Sequence, residues 1–401
     1  MESSGRPLLD GVRVLDLSRV LAGPYCTMML GDLGADIIKV EAPGLGDDTR
    51  QWGPPFTPGG ESAYYLCVNR NKRSLTLNLK SEQGLQILKE LICQCDILVE
   101  NFRVDTLAKW GLDYDRLQEL HPGLIYCTIT GYGYTGPYRR LPGYDFIVQA
   151  QGGLMSITGP ENGEPYKVGV AIADITAGLF ACNAILAALF EHQRNGKGQR
   201  IDIALLDSQV AWLANVASNY LVSGQAPARY GNAHPNIVPY QTFRARDGYF
   251  ALAVGNDLQW RQFCEKVGHG EWSQDPRFMT NACRVENRSQ LIPLLDDLFL
   301  QQDISHWLGL LEVIGVPCGP INAVDQVLQD PQVLARRMVV DVPHSAAGSV
   351  KLVASPLNIP TAPTVIRRPP PRLGEHTSEI LHGLLGYDQQ AIQDLRSAQV
   401  V

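Results

Sequence analysis

A chain of 401 residues, 45% hydrophobic and 19% charged, is too long for one simple core and reads as a globular protein of two unequal domains. Its formal net charge of −7, from 34 basic against 41 acidic residues, excludes the basic excess that a nucleic-acid partner demands. A small anion can still be met by a local basic pocket.

The nine cysteines are scattered. Cys93 and Cys95 sit in a helix-like run with nothing downstream to complete a zinc set, so the thiols read as buried ones in a reducing compartment and no metal is expected. No apolar run reaches the length of a membrane span. Met1 to Arg6 has neither an apolar h-region nor an Arg-rich amphipathic stretch, which points to the cytoplasm, or to the mitochondrial matrix if a transit peptide has been removed.

In chain order, Val12–Leu17 is strand-like, Tyr25–Leu33 has helical spacing and Ile37–Val40 is strand-like again. A second unit has a strand at Ser74–Leu79, a helix capped by Ser81 and running to about Gln94, and a strand at Asp96–Val99. Leu124–Thr130 is a further strand, followed by a Gly- and Pro-rich loop. Strands alternating with helices predict a parallel sheet covered on both faces, an α/β class, with ligands off the carboxyl ends of the strands. The loops to watch are Ser18–Pro24, Glu41–Trp52, Glu100–Arg103 and Gly131–Asp145. Ala177–Phe190 and Leu205–Leu221 are apolar helices. Thr242–Val254 alternates like a hairpin with Asp247-Gly248 as its turn. Short amphipathic helices then run to about Leu311, giving a second, smaller α+β domain. Strands and Pro-rich turns follow Val316-Pro317, and a last helix starts at Thr377.

Gly131-Tyr-Gly133-Tyr-Thr-Gly136 matches the dinucleotide fingerprint after a strand, but Pro137 and the segment from Arg139 to Gly143 open no helix. A glycine loop that lets backbone approach an anion is the better reading. Gly196-Lys197-Gly198 lacks P-loop spacing and reads as a turn. There is no Gly-x-Ser-x-Gly elbow and no His-x-x-x-His, which argues against a serine hydrolase and a zinc site.

Asp174, in Gly169-Val-Ala-Ile-Ala-Asp174, stands where an apolar run meets a long helix. It reads either as an N-cap or as a carboxylate kept ionised by the helix N-terminus and suited to acyl transfer through an anhydride. His234 lies in a polar glycine-bearing loop, and His376 opens the last helix and reads as structural. Arg19, Lys72, Arg73, Lys80, Arg103, Lys109, Arg139 and Arg140 are basic residues that could receive phosphates or carboxylates.

Read together, these loops resemble the class III CoA-transferases. The matching segments include Gly11-Val-Arg-Val-Leu-Asp16-Leu-Ser-Arg19, Ala22-Gly-Pro24, Leu33-Gly-Ala-Asp36-Ile-Ile-Lys39-Val-Glu41 and Gly46-Asp-Asp-Thr-Arg50. They continue through Asn71-Lys-Arg-Ser74, Glu100-Asn101-Phe102, Gly143-Tyr144-Asp145, Gly196-Lys-Gly-Gln199, Gly315-Val-Pro317-Cys-Gly-Pro320 and Leu373-Gly-Glu-His-Thr377. The resemblance implies a Rossmann-like large domain built from both chain ends, a small domain between them, and two interlocked rings as an obligate homodimer. Residues 1–200 would be the N-terminal part of the CoA-binding domain, 201–228 a helical linker, 229–318 the small domain and 319–401 the return. It also implies Asp174 as the catalytic carboxylate. CoA contacts would fall at Arg19, Ala22, Leu77, Asn78, Lys80, Asn101, Phe102, Arg103, Lys109, Tyr144 and Asp145. An arginine that binds CoA in some relatives is Ala42 here.

An α-methylacyl-CoA racemase resembles the chain too, but pairs the aspartate with a histidine where this sequence has Tyr144. Tyrosine is no α-proton base near neutral pH without a large pKa shift. A CoA-binding regulatory protein without turnover is the non-enzyme alternative. The expected reaction carries CoA from an acyl-CoA to a carboxylic acid, with mixed-anhydride and aspartyl-CoA thioester intermediates on Asp174 and the Gly231–Gln241 loop as lid and oxyanion contributor. Further segments resemble the succinyl-CoA:dicarboxylate branch, glutarate enzymes included. For the acceptor, Arg50, Arg70 and Arg284 are the expected forked cations, with His234, Tyr240 and Gln241 as further contacts.

Overall fold

The computed structural model describes residues 6–401, which divide into two compact units. The first takes in the chain as far as Gly153, then Val168–Asn215 and Pro331–Val401; the second takes in Leu154–Lys167 and Val216–Asp330. The second unit thus reaches back to claim a short segment ahead of Asp174, and begins and ends some residues away from the boundaries 229 and 318 expected from sequence.

In the first unit six parallel strands form one sheet: β1 (Arg13–Asp16), β2 (Asp36–Glu41), β3 (Lys72–Thr76), β4 (Ile97–Glu100), β5 (Ile125–Thr130) and β6 (Arg200–Ala204), in the order β3-β2-β1-β4-β5-β6. The reversal of order beside β1 creates the crevice in which ligands of such sheets sit. The helices that position the site are α1 (Ala22–Asp32), α2 (Glu82–Ile92), α3 (Asp145–Gln151), α4 (Ile172–Asn195) and α5 (Leu205–Ala211), with shorter ones at Ala63–Leu66, Thr106–Lys109 and Tyr114–Leu120. Near the carboxyl terminus come α6 (Thr377–Leu385) and α7 (Gln389–Ser397), two helices where the sequence suggested one. Alternate residues along each strand point to opposite faces, so one face (Leu15, Ile38, Leu75, Leu98, Tyr126) packs on α2, α6 and α7. The other (Val14, Ile37, Ile97, Ile125, Cys127) packs on α1 and α4. Ser81 caps α2 through a bond from Gly84 N–H.

Strand β6 was not anticipated. Its sequence, Arg-Ile-Asp-Ile-Ala, alternates as an edge strand does, but it is short and hidden between a glycine turn and a helix. The expected helix from Leu205 to Leu221 is broken at Trp212–Leu213 into α5 and Ala214–Ser223, with Ala214 at φ 39°. Helix α4 spans 24 residues and is by length and composition able to cross a membrane, contrary to the expectation of no such run. Its Ala173, Ala177, Ala181, Cys182 and Ile185 are nonetheless buried against α1 and the sheet. Gly178 makes that packing close: a Cβ there would lie 2.6 Å from the Ala22 carbonyl oxygen of α1.

In the second unit Tyr240–Ala245 and Gly248–Ala253 pair as a hairpin, joined by Cys318–Pro320 as a third strand. Ala245 pairs with Gly248, so Arg246 and Asp247 form the turn, one residue earlier than expected. Trp260, Phe263, Leu291, Leu295, Phe299 and Trp307 from the following helices fill its core.

Candidate active site

At the carboxyl end of β1 the chain turns through Ser18–Leu21 into α1, and a buried charge cluster fixes that turn from below. The Asp16 carboxylate, fully buried, accepts from Ser18 N (2.9 Å), the Ser18 hydroxyl, Thr27 Oγ1 (2.6 Å) and Lys72 Nζ (3.1 Å). Lys39 Nζ donates to Ser18 O (2.9 Å) and to Asp47 (2.8 Å). Burial works against ionising Asp47, but Lys39 and the Thr49 donors outweigh it and hold its pKa at about 2. Asp47 also accepts from Val20 N, a residue forced to φ 71°. Such a left-handed valine is costly and persists only where its surroundings over-determine it.

The Asn101 side chain ties this turn to the end of β4: its Oδ1 accepts from Arg19 N (2.9 Å) and its Nδ2 donates to Arg19 O (2.7 Å). Glu100 accepts from Phe102 N (2.7 Å). Gly131 and Gly143 let the two limbs of the glycine loop touch, because a Cβ on Gly143 would lie 2.4 Å from the Gly131 Cα.

Asp174 is the third residue of α4, not its cap; Ala171 holds the cap position without a side-chain bond. The cap is supplied from α3, where Asp145 Oδ1 accepts from Ala173 N (2.8 Å) and Asp174 N (3.4 Å). Asp174 is half-buried, and its carboxylate makes no hydrogen bond or ion pair among the described residues. Burial, and secondly the Asp145 charge, raise its pKa to about 7. The helix N-terminus, expected to keep it ionised, is outweighed by that burial and by the neighbouring Asp145 charge. If the ionised carboxylate is the reactive form, kcat/KM rises as pH climbs through about 7 and levels off above it. A pH–rate profile with a flat acid limb down to pH 5 would contradict this.

Asp174 lines a cavity of about 180 Å³ together with Arg19, Ala22, Asn101, Phe102, Arg103 and Tyr144. Leu77, Asn78 and Lys80 line a neighbouring one of about 270 Å³ that shares Arg19 and Phe102 with the first. Most residues singled out from sequence thus gather in one crevice off the strand ends. Lys109 lines neither cavity, and Asp145 turns both carboxylate oxygens inward, the second to Gln149 Nε2 (2.7 Å). Sequence reasoning missed Asp105, which adopts φ 69° and accepts from both Arg139 (3.0 Å) and Arg140 (3.2 Å) on the cavity wall. Only the basic pair two residues apart from a glycine hinted at it.

The three forked cations expected to meet the acceptor are committed elsewhere. Arg50 is bidentate on Glu41 (2.8 Å each) and also donates to Tyr65 Oη (2.6 Å) and Pro371 O (3.1 Å). Arg70 grips Asp32 (2.9 and 2.6 Å). Arg284, fully buried, donates to Val238 O, Phe278 O and Asp257. Lys72 and Arg73 are likewise spent, on Asp16 and on Asp36 with Glu379. Arginines anchored in this way through two or three of their nitrogens hold the fold and are not free to swing onto a substrate carboxylate.

His234, Tyr240 and Gln241 belong to the second unit. His234 Nδ1 accepts from Asn236 N (3.0 Å), its backbone N–H donates to Tyr240 O (2.9 Å), and the two rings lie 5.3 Å apart. Burial and then Arg288, which donates to His234 O (2.7 Å), lower its imidazole pKa.

Residues 9–377 match the family described as CoA-transferase family III. The chain is 48% identical over 393 residues to a succinyl-CoA:glutarate CoA-transferase of Homo sapiens, covering 98% of this chain and 90% of that protein. It is 46% identical to a succinate–glutarate CoA-transferase of Agrobacterium fabrum, over 94% of this chain and 95% of the other. The crystal structure of a CAIB/BAIF family protein from Brucella suis matches with a TM-score of 0.83 at 46% identity, over 95% of this chain and 100% of that one.

Proposed function

We propose, for a chain that belongs to CoA-transferase family III, that it moves CoA from succinyl-CoA to a dicarboxylic acid, glutarate foremost, through intermediates carried on Asp174. The observation that carries this is the Asp174 carboxylate: unpartnered, half-buried, on a rigid helix, and open to a crevice at the sheet's carboxyl edge. The succinyl and glutarate groups are those named for the two relatives above.

In the first step an Asp174 oxygen attacks the succinyl thioester carbonyl; a C–O bond forms, the C–S bond breaks, and CoA leaves as thiolate. That thiolate attacks the aspartyl carbonyl of the mixed anhydride, giving an aspartyl-CoA thioester and free succinate. Glutarate then attacks the aspartyl thioester, and the returning thiolate takes the glutaryl group and restores the carboxylate. A carboxylate with a raised proton affinity is a stronger nucleophile than a solvated one, and the crevice supplies the proximity that this exchange needs.

For CoA itself, Arg19, Ala22, Phe102, Leu77, Asn78 and Lys80 line the crevice and Lys109 lies beyond it. In place of the committed arginines, Arg103 is the proposed anchor for the acceptor's remote carboxylate. It is exposed, lines the Asp174 cavity, and its guanidinium has no partner among the described residues. Arg103→Ala is expected to raise the glutarate KM by about 10- to 100-fold, the scale of one charge-assisted hydrogen bond. An unchanged glutarate KM with a raised succinyl-CoA KM would instead assign Arg103 to CoA.

Interlocking with a second copy is proposed on the family resemblance and is supported by uncovered apolar side chains along α4, Phe190 at 66% exposure among them. Light scattering of the purified protein tests it. Racemisation is disfavoured because Tyr144, and not a histidine, lines the cavity with Asp174. No α-deuterium should enter succinyl-CoA in D2O. The test of the main reading is a panel of acceptor acids against succinyl-CoA, read by mass spectrometry, with hydroxylamine trapping of the acylated Asp174. Exchange without a hydroxylamine-labile adduct would overturn it.

A further inference from the structure

Two acidic side chains meet at the start of α4, and only one of them faces the crevice. Asp145, the first residue of α3, spends Oδ1 on Ala173 N (2.8 Å) and Asp174 N (3.4 Å), and Oδ2 on Gln149 Nε2 (2.7 Å). Gln149, fully buried, grips the incoming segment with its other groups: Oε1 accepts from Val168 N (2.9 Å) and Nε2 donates to Val170 O (3.4 Å). The segment Val168–Asp174 is thereby held at both ends by side chains of α3. We infer that Asp145 is a positioning residue for the nucleophile, fixing the first turn of α4 so that Asp174 projects into the crevice, and that its negative charge selectively opposes the free carboxylate. The inference rests on the covalent reading of Asp174.

Its physical content is an asymmetry between states. Free Asp174 is an anion beside an anion, whereas the mixed anhydride and the aspartyl thioester are both uncharged at that side chain. Repulsion from Asp145 therefore acts on the resting enzyme and vanishes on acylation, shifting the internal equilibrium toward the covalent intermediates. The raised proton affinity of Asp174, in which Asp145 is the one charged contributor, agrees with this placement. Other ionisable groups around the nucleophile are Tyr64, whose phenol feels both carboxylates, and the cavity-lining Arg19, Asp48, Arg103, Tyr144, Arg139 and Arg140, the last two paired with Asp105. Arg19 and Asp48 pair with each other at 3.2 Å, and that pair carries little net field.

The experiment compares wild type with Asp145→Asn and Asp145→Ala, each first checked for a native melting transition and for CoA binding. Asparagine keeps an acceptor at Oδ1 and removes the charge together with the acceptor for Gln149 Nε2; alanine removes all three. For Asp145→Asn the acid limb of kcat/KM should move to lower pH by about 1. The fraction of enzyme trapped by hydroxylamine during turnover with succinyl-CoA should fall several-fold. For Asp145→Ala, kcat should drop by about 100-fold with a nearly unchanged succinyl-CoA KM, the signature of a misaimed group. Wild-type kcat, pH limb and trapped fraction in both folded variants would overturn the inference and leave the covalent reading standing. Failure to trap any adduct in wild type would overturn the covalent reading itself.

Discussion

Asp174→Ala abolishes CoA exchange while CoA still binds. The variant loses the only group in the crevice proposed to form a bond to the acyl carbon, and with it an effective concentration that no external carboxylate reproduces. A fall on the order of 10⁵-fold is expected in labelled-CoA exchange. Calorimetric CoA binding should stay within a few-fold, because none of the other lining residues is touched. Asp174→Asn sharpens the test. The carboxyl's pKa is raised from 3.8 to about 7 in the folded protein. The folded state therefore binds more protons than the unfolded state between those values, and stability falls as pH rises through that window. Removing the charge should stabilise the protein above pH 7 by about 1–3 kcal/mol even as activity disappears. An inactive variant that is also less stable at pH 8 would mean that Asp174 holds the fold rather than the reaction.

Asp16→Ala produces the second large effect, on stability. Asp16 and Lys72 are both fully buried and 3.1 Å apart. Truncating the acid strands the Lys72 ammonium with one carbonyl partner, Pro24 O at 2.9 Å, and leaves the Ser18 hydroxyl and Ser18 N without their acceptor, while Thr27 Oγ1 falls back on the Gly23 and Pro24 carbonyls at 3.2 Å. Breaking a buried pair in this way costs about 3–5 kcal/mol. The melting transition of the first unit should drop by about 10 °C. Asp16→Ala with Lys72→Met together should recover part of the loss, since the unpaired charge is then gone. A double variant no more stable than the single would show that the hydroxyl bonds, not the ion pair, carry the energy.

The order of strands through β5, with α1 and α2 between them, was legible because hydrophobic period and cap residues agree there, as at Ser81, whereas the short helices Thr106–Lys109 and Tyr114–Leu120 ahead of β5 were not. What escaped was decided by tertiary partners. Strand β6 carries only Ile201, Ile203 and Ala204 as apolar residues, and its identity comes from pairing with Tyr126–Thr130 across the sheet. Asp174 could be placed at a helix start from sequence, but the acid that caps that helix lies 29 residues earlier, on α3. The arginines misled for the same reason. A guanidinium in a watched loop is as good a fork for Glu41 or Asp32 as for a substrate, and composition does not say which carboxylate lies nearer. Arg19, Lys80 and Arg103 do line the crevice without being buried.

Strand β3 ends the sheet on one side, yet its outer rim is not bare. Asn71 N donates to Arg368 O, Ser74 O accepts from His376 N, and Thr76 N donates to Thr377 Oγ1. Residues made some three hundred positions apart thus close the border of the sheet. During synthesis the early half of this unit must wait, its rim open, until the final helices leave the ribosome. An exposed strand rim recruits other strands, so a chain stopped before Arg367 should clump rather than fold, and the crowded interval before completion is where a chaperone would matter most.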